Sequence, residues 1–211
     1  MLKRALLPTA VRLQYKRHRS HTQGLILPRL LTPLFTMALS NNTAETKLSP
    51  QEERKWNKLS VTMNAFHENF KQEFNRLYEL ADGSFNNYGW SLSYYLNAAQ
   101  GMKTHLTTHH TIEERYIFPT LGKRMPAFAD TPDGEHWNSH KGIHDGLDAL
   151  AELLNKYRRD QTTYSPDEMR ECLNSFREVL FKHLDQEVQD LRGENLRKYF
   201  TMKEIEPILS L

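Results

Sequence analysis

Histidine is the residue type most able to do chemistry in this chain. Ten histidines occur among 211 residues, and eight of them lie between His67 and His183. Three segments also place a second potential metal ligand four residues after a histidine: His109/Glu113, His140/His144 and His183/Glu187. On a helix this spacing puts both side chains on one side, as a shared metal ion requires. Imidazole nitrogen and carboxylate oxygen are ligand types suited to iron, zinc or manganese.

The order of these segments along the chain is more informative than any one of them. One isolated pair of potential ligands at this spacing arises by chance. A single histidine such as His67 in an apolar stripe is more often a hydrogen-bonded core residue. Here the order is His, then His-x-x-x-Glu, then His-x-x-x-His, then His-x-x-x-Glu. Chance does not readily produce that order, so the pattern favours a metal site.

The elements that must position these residues are four long helices. Capping signatures Ser49-Pro50-Gln51-Glu52 and Ser165-Pro166-Asp167-Glu168 begin the first and the fourth. The first is expected to end near Asp82-Gly83 and the fourth at Arg192-Gly193. The second and third are expected over about 90–121 and 135–159, and residues 202–209 are expected to add at most one helical turn. Since no alternating β pattern of useful length occurs, the sequence predicts an all-α, up-down four-helix bundle with an N-terminal extension.

Each predicted helix carries candidate ligands inside its apolar stripe. Burial of an ionised glutamate without a partner costs several kcal/mol, and a metal ion would remove that cost. A carboxylate can also bridge two ions. The predicted ligands are His67, His109, Glu113, His140, His144, His183 and Glu187.

Four further residues are alternatives to these ligands. His110 and Glu114 have the same spacing as the preferred pair, but they fall nearer the edge of the second helix's stripe. His105 and His136 each lie one turn before a predicted ligand. They are spare ligands, donors to a ligand, or surface residues near the bundle end, and the last is favoured. The apolar stripe of the second helix is expected to contain Met102, Leu106, Tyr116 and Ile117.

The charge distribution separates an N-terminal arm from the rest of the chain. Residues 1–44 hold seven basic residues and no acidic ones, whereas the remainder has 21 basic against 26 acidic residues. A mildly acidic body argues against a nucleic-acid partner, which requires a basic face. The single cysteine, Cys172, excludes an intrachain disulfide framework and thiolate-ligated clusters.

The chain is therefore divided into an extension (1–47), a bundle (48–195) and a C-terminal tail (196–211). Residues 1–44 of this extension lack acids and are interrupted by prolines, as in a mitochondrial presequence. Location is mitochondrial if residues 1–36 are cleaved and otherwise cytoplasmic. A disordered extension, or translation from Met37, remains the alternative. The apolar run 25–39 is too short and too interrupted to cross a membrane, so no membrane span is predicted.

The combination of segments resembles the hemerythrin-like (HHE cation-binding) family, and its fungal-type members most closely. The resemblance covers about residues 55–195. The matching segments are Phe66-His67-Glu68, His109-His110-Thr111-Ile112-Glu113-Glu114 followed by Phe118-Pro119, His140-Lys141-Gly142-Ile143-His144, and His183-Leu184-Asp185-Gln186-Glu187.

The resemblance implies two non-haem iron ions with oxo and carboxylate bridges. One iron is held by His140, His144 and His183, and the other by His67 and His109, with Glu113 and Glu187 as bridges. The second iron keeps an open position for dioxygen or a related ligand such as nitric oxide. The fourth segment has His-x-x-x-Glu where the invertebrate oxygen carriers have His-x-x-x-x-Asp, so carrier-like affinity does not follow. Other divalent metals suit the same ligands, and the sequence does not determine the oligomeric state.

Two other classes of function stay open. One is a di-iron oxidoreductase acting on peroxide or ferrous iron, although no glutamate has a histidine three residues later, as ferritin-type sites require. The other is a metal-free helical interaction module. In that case replacing His140 and His144 with leucine would leave stability unchanged or raise it, whereas a metal protein would lose iron and stability.

Overall fold

The computed structural model describes residues 48–210, which are helical with no β-strand in that range. The absence of β-structure predicted from the sequence is thus confirmed for this part of the chain. The 3-10 turns are short and lie in the connections. The α-helices are α1 (Pro50–Trp56), α2 (Lys58–Leu80), α3 (Leu92–Ile112), α4 (Phe118–Leu121), α5 (Glu135–Arg159), α6 (Pro166–Asp190), α7 (Gly193–Tyr199) and α8 (Met202–Ile205), and a π-helical turn (Glu113–Ile117) joins α3 to α4.

Helices α2, α3, α5 and α6 are the long elements, and they pack around a common interior. Helix α2 lies against α3 and α6, and α5 lies against the same two helices. Polar contacts tie the neighbours together: the Tyr95 hydroxyl donates to the Leu77 carbonyl (2.7 Å), and Arg177 donates to Asn75 (2.8 Å). Every candidate ligand that the sequence identified lies on one of these helices or in the π-helical turn.

Local signals set where several helices begin. The Ser49 side chain accepts from the Glu52 amide while Glu52 accepts from the Ser49 amide, which is the predicted capping box. Ser165 caps α6 in a similar way. The first predicted helix is divided at Asn57 into α1 and α2, and α1 packs against α7. Helix α7 was not predicted, because its anchor, Leu196, is buried by residues distant in sequence.

The core consists of two apolar clusters with a polar layer between them. The larger cluster includes Phe70 and the smaller one includes Met63, and His67 lies between these two residues on α2. Glu187 has the same intermediate position on α6. Both polar side chains are fully buried. The apolar packing on either side therefore holds the polar layer in the protein interior.

Membrane insertion can be assessed only for the described residues. None of the helices within residues 48–210 is both long enough and apolar enough to cross a bilayer. The predicted extension, including its apolar run, falls on residues 1–47 and lies outside the described residues.

Close packing of α5 on α6 gives a first testable prediction. A Cβ atom on Gly146 would overlap the Phe176 side chain at its base, where a rotamer change cannot relieve the contact. Gly146→Ala is therefore expected to lower the free energy of unfolding by about 1–3 kcal/mol. Gly101→Ala is the control, because a Cβ atom there meets nothing within 4 Å; it should raise stability by roughly 0.5–1 kcal/mol. Urea denaturation measures both, and equal effects would contradict the packing.

Candidate metal centre

The polar layer is made almost entirely of histidine and glutamate. Apart from Ser60, the buried polar residues of the described chain are all of these two types. Two fully buried carboxylates thus face imidazoles, and within residues 48–210 neither carboxylate pairs with a lysine or arginine. The residues are His67, His110, Glu113, His136, His140, His183 and Glu187.

One group of potential ligands is shared by three helices and the π-helical turn. In this first group one ligand atom from each of four buried residues lies within 4.8 Å of the others: His110, Glu113, His140 and His183. The His140 Nε2 atom is 3.1 Å from His183 Nε2 and 3.3 Å from Glu113 Oε2. Atoms at such distances surround a space suited to one cation.

A second group lies beside the first and shares one residue with it. It consists of His67, His109 and Glu113, again within 4.8 Å of one another. The Nε2 atoms of His67 and His109 are 3.1 Å apart, and His109 Nε2 is 2.9 Å from Glu113 Oε1. Glu113 therefore directs one oxygen toward each group.

Glu187 connects the same two groups from the opposite helix. Its Oε2 atom lies 3.5 Å from His67 Nε2 and 3.6 Å from His183 Nε2. Two carboxylates thus lie between the two sets of histidines, which is the position that a bridging ligand requires. We refer to the two groups together with Glu187 as the inner cluster: His67, His109, His110, Glu113, His140, His183 and Glu187.

The inner cluster leaves buried polar atoms without hydrogen bonds. Both ring nitrogens of His110 and both carboxylate oxygens of Glu113 and of Glu187 make none that is well aligned. The Glu113 oxygens lie 2.9 Å from His109 Nε2 and 3.3 Å from His140 Nε2, so for this residue the angles and not the separations exclude a hydrogen bond. An unsatisfied buried donor or acceptor costs about 1–3 kcal/mol, and more if charged. A cation with nitrogen and oxygen ligands would satisfy these atoms, so the residues fit a metal ion of the iron, zinc or manganese type.

Burial keeps three histidines of the inner cluster in the form that binds metal. Desolvation lowers the pKa of His67 to about 4. It also holds the pKa of His110 and of His183 well below the usual value, and nearby imidazoles add to the effect. These rings are neutral at pH 7, and neutral imidazole is the ligand species.

The two buried carboxylates have opposite shifts. Burial raises the pKa of Glu187 well above its usual value, and the charge on Glu113 raises it further. Burial acts on Glu113 in the same direction, but the surrounding histidines, His109 above all, outweigh it and hold the pKa of Glu113 low. Like charges in contact cannot both persist in a buried site, so the pair favours a proton or a cation between them.

Contacts behind the inner cluster orient its rings. His67 Nδ1 donates to the Leu184 carbonyl at 2.7 Å, which leaves Nε2 free to face the cluster. His140 Nδ1 lies 2.8 Å from Glu114 Oε1, an arrangement that has the same effect on its ring. Such outer partners fix the tautomer and increase the basicity of a metal-binding histidine. Glu114 therefore acts on His140 from outside the cluster.

His136 completes this outer layer on the side of α6. Its Nδ1 atom lies 3.4 Å from His183 Nδ1, and its Nε2 atom lies 3.1 Å from Asp190 Oδ2. The expectation that His136 is a surface residue was wrong, because its exposed fraction is 1%. His105, in contrast, is exposed and lies 3.4 Å from Glu73.

The structure brings six of the seven predicted ligands together in the inner cluster, whereas His144 belongs to a third group of potential ligands, with Glu114 and His140, on the outer side. The side chain of His144 is 34% exposed, and its Nε2 atom lies 3.4 Å from Glu114 on the outer side of His140. His110, which the sequence placed nearer the stripe's edge, instead lies fully buried in the first group, with its ring stacked on His140 at 3.8 Å between centroids. The interior thus contains His110 where the sequence analysis expected His144.

The heptad-like spacing of α3 was the signal that could have identified His110. From Ala99 onward the buried positions recur every three or four residues. Tyr116, which was expected in the apolar stripe of this helix, is instead 54% exposed. The π-helical turn adds a residue to its turn and so changes the direction of the side chains that follow Glu113. From the middle of α3 to the end of the π-helical turn, the buried positions are Ala99, Met102, Leu106, His110, Glu113 and Ile117.

The lowered histidine pKa values predict an acid-sensitive metal-free protein. The pKa of His67 is about 4 when folded and 6.5 in the unfolded reference, so between these values only the unfolded chain takes up the proton. The contribution of His67 to stability is therefore complete above pH 6.5 and is lost as the pH falls toward 4, by at most about 1.4 kcal/mol per pH unit for this one group. Urea denaturation of chelator-treated protein at pH 7 and pH 5 measures this loss. The slope should be shallower for His67→Leu, and an unchanged slope would contradict it.

A helical bundle with a buried layer of histidine and glutamate between its long helices is a metal-binding architecture. Residues 59–192, more than half of the chain, match the family of the hemerythrin HHE cation binding domain. The chain belongs to this family, and membership implies cation binding by the histidine and glutamate groups described above. Neither curated proteins nor solved structures provide a match.

Proposed function

We propose that the inner cluster binds two iron ions and that the protein thereby binds dioxygen or a related small ligand. The first iron is assigned to His110, His140 and His183, and the second to His67 and His109. Glu113 and Glu187 bridge the two ions. This assignment keeps five histidines and two glutamates, with His110 in the place that the sequence analysis gave to His144.

The observation that carries the proposal is the pair of buried carboxylates. Each lies between the two groups of histidines, and each has both oxygens without a well-aligned hydrogen bond. A single cation would neutralise one group and leave the other with facing ring nitrogens. Two cations bridged by both carboxylates satisfy the whole cluster.

The open position for a small ligand is assigned to the second iron. That ion has two histidines against three for the first, so it has fewer protein ligands. A cavity of about 440 Å³ is lined by His109 and Glu113 of the second group and by no other member of the inner cluster. A dissolved gas thus has an apolar route to this side of the centre. The ligand's role is then sensing, storage or detoxification.

Three finer assignments are part of the same proposal. The contacts between neighbouring long helices support an up-down bundle. The four matching sequence segments support a relation to the fungal-type members. The absence of acidic residues from 1–44 supports mitochondrial import with cleavage before Met37, for which the N-terminal residue of the mature protein is the test.

Metal analysis of the purified protein, combined with absorption spectra, tests the main proposal. We expect two irons per chain and absorption bands in air that disappear on reduction and shift when azide or nitric oxide is added. Zinc or manganese alone after expression in iron-rich medium would contradict the iron assignment. Steady turnover of peroxide would show an oxidoreductase instead, and failure to bind any metal would show a metal-free module.

A matched pair of variants tests which histidine completes the centre. His110→Leu is expected to bind at most one iron per chain, because it removes a fully buried ligand of the first group. His144→Leu should retain two irons, because its ring lies outside the inner cluster. Iron per chain, measured at equal protein concentration, separates the two. The reverse result would restore the ligand set predicted from the sequence.

A further inference from the structure

The cavity beside the second group is larger than a diatomic ligand needs. Its volume is about 440 Å³, roughly fifteen times the ~30 Å³ that one water molecule occupies in the liquid. Cavities of about 300–1,000 Å³ are typical of sites for organic molecules. The size therefore points to an organic occupant in addition to any gas that reaches the centre.

The lining of the cavity is predominantly apolar and comes from distant parts of the chain. Helix α2 forms one wall, α3 and the π-helical turn form another, and the C-terminal residues Ile208 and Leu209 form a third. Other apolar lining residues are Leu59, Met63, Phe66, Phe70, Ile112 and Ile117. Burial of a hydrocarbon chain against such walls is favourable by about 25 cal/mol per Å² of apolar surface.

A cation lies at the C-terminal side of this cavity. Lys58 is the sole lysine or arginine among the described residues that line it, and its ammonium group donates to the Leu209 carbonyl. The side chain of His105, also in the lining, already faces the Glu73 carboxylate. A carboxylate is a stronger acceptor for an ammonium group than a neutral carbonyl is. Lys58 is thus placed to bind an anionic group.

We infer that this cavity binds an elongated apolar molecule with one carboxylate, of the medium-chain fatty-acid class. Its hydrocarbon chain lies between α2 and α3 and extends toward His109 and Glu113, and its carboxylate pairs with Lys58. The inference goes beyond the proposed function and does not require a metal, because the walls and Lys58 are parts of the protein itself.

Titration calorimetry with decanoate tests the inference on the full-length chain, both metal-loaded and chelator-treated. We expect one decanoate per chain in both forms, so that a failure of metal binding would leave this result unaffected. Thr62→Trp should weaken binding at least tenfold, because Thr62 is an exposed residue of the lining and an indole there occupies the cavity. Val61→Trp is the control, since the neighbouring Val61 is also exposed but does not line this cavity.

The anionic group is tested separately. Lys58→Gln should weaken decanoate binding several-fold and leave decanol binding unchanged, with thermal unfolding used to verify that each variant is folded. The absence of decanoate binding, or equal losses in the two tryptophan variants, would overturn the cavity assignment. Equal affinity for decanol and decanoate in the natural sequence would overturn the carboxylate assignment.

Discussion

Replacing Glu113 with glutamine is expected to abolish the binding of both cations. Glu113 belongs to the two ligand groups at once: Oε1 faces His109 and Oε2 faces His140. A glutamine of the same shape offers one neutral oxygen, so it cannot provide an anionic oxygen to each of two ions. Under conditions that load the natural sequence with two metal ions per chain, Glu113→Gln should hold fewer than one. Metal analysis after gel filtration measures the difference.

The adjacent residue gives the matched control for this variant. Glu114→Gln makes the same change in charge and volume one position later, where the carboxylate contacts His140 from outside the inner cluster. Loss of such an outer partner typically weakens metal affinity about 10–100-fold, so two ions should still bind at saturating metal. The metal-free Glu113→Gln protein should unfold no earlier than the natural one, because the variant removes one of two adjoining buried carboxylates. Equal metal contents in the two variants would contradict the bridging role of Glu113.

Removal of the metal is expected to lower the unfolding temperature by about 10 °C or more. A bound ion present at a thousand times its Kd stabilises the folded state by about 4 kcal/mol. For a domain of this size each kcal/mol corresponds to roughly 2–4 °C. Removal also leaves Glu187 and Glu113 without a cation between them, where burial first and the charge on Glu113 second raise the pKa of Glu187. Differential scanning calorimetry before and after chelation measures the shift.

Restoring the metal provides the internal control for this measurement. Addition of ferrous iron without oxygen should return the unfolding temperature to its first value in the natural sequence and in His144→Leu. In Glu113→Gln the same addition should have little effect. If the chelator-treated protein were as stable as the metal-loaded one, protons would be satisfying the buried carboxylates. That result would contradict stabilisation of the fold by metal.

The local signals in the sequence were sufficient to predict most of the helices. The capping box at Ser49 and the cap at Ser165 lie where they were expected, and α5 has the predicted bounds, Glu135–Arg159. These features depend on hydrogen bonds and side-chain spacing within a few residues. Helix α7 and the division at Asn57 depend instead on packing between α1 and α7, so no local sequence pattern predicted them.

The kinds of residue available to the centre, and their order along the chain, could be predicted from the amino-acid sequence alone. It did not determine which of two adjacent histidines, His109 or His110, lies deeper in the interior, because neighbouring residues on a helix point about 100° apart and the packing partners set the helix's rotation. The same packing buries His136 and leaves His144 half-exposed. The apolar cavity also depends on tertiary structure, because Lys58 and Leu209, which are in contact beside it, are 151 residues apart in the sequence.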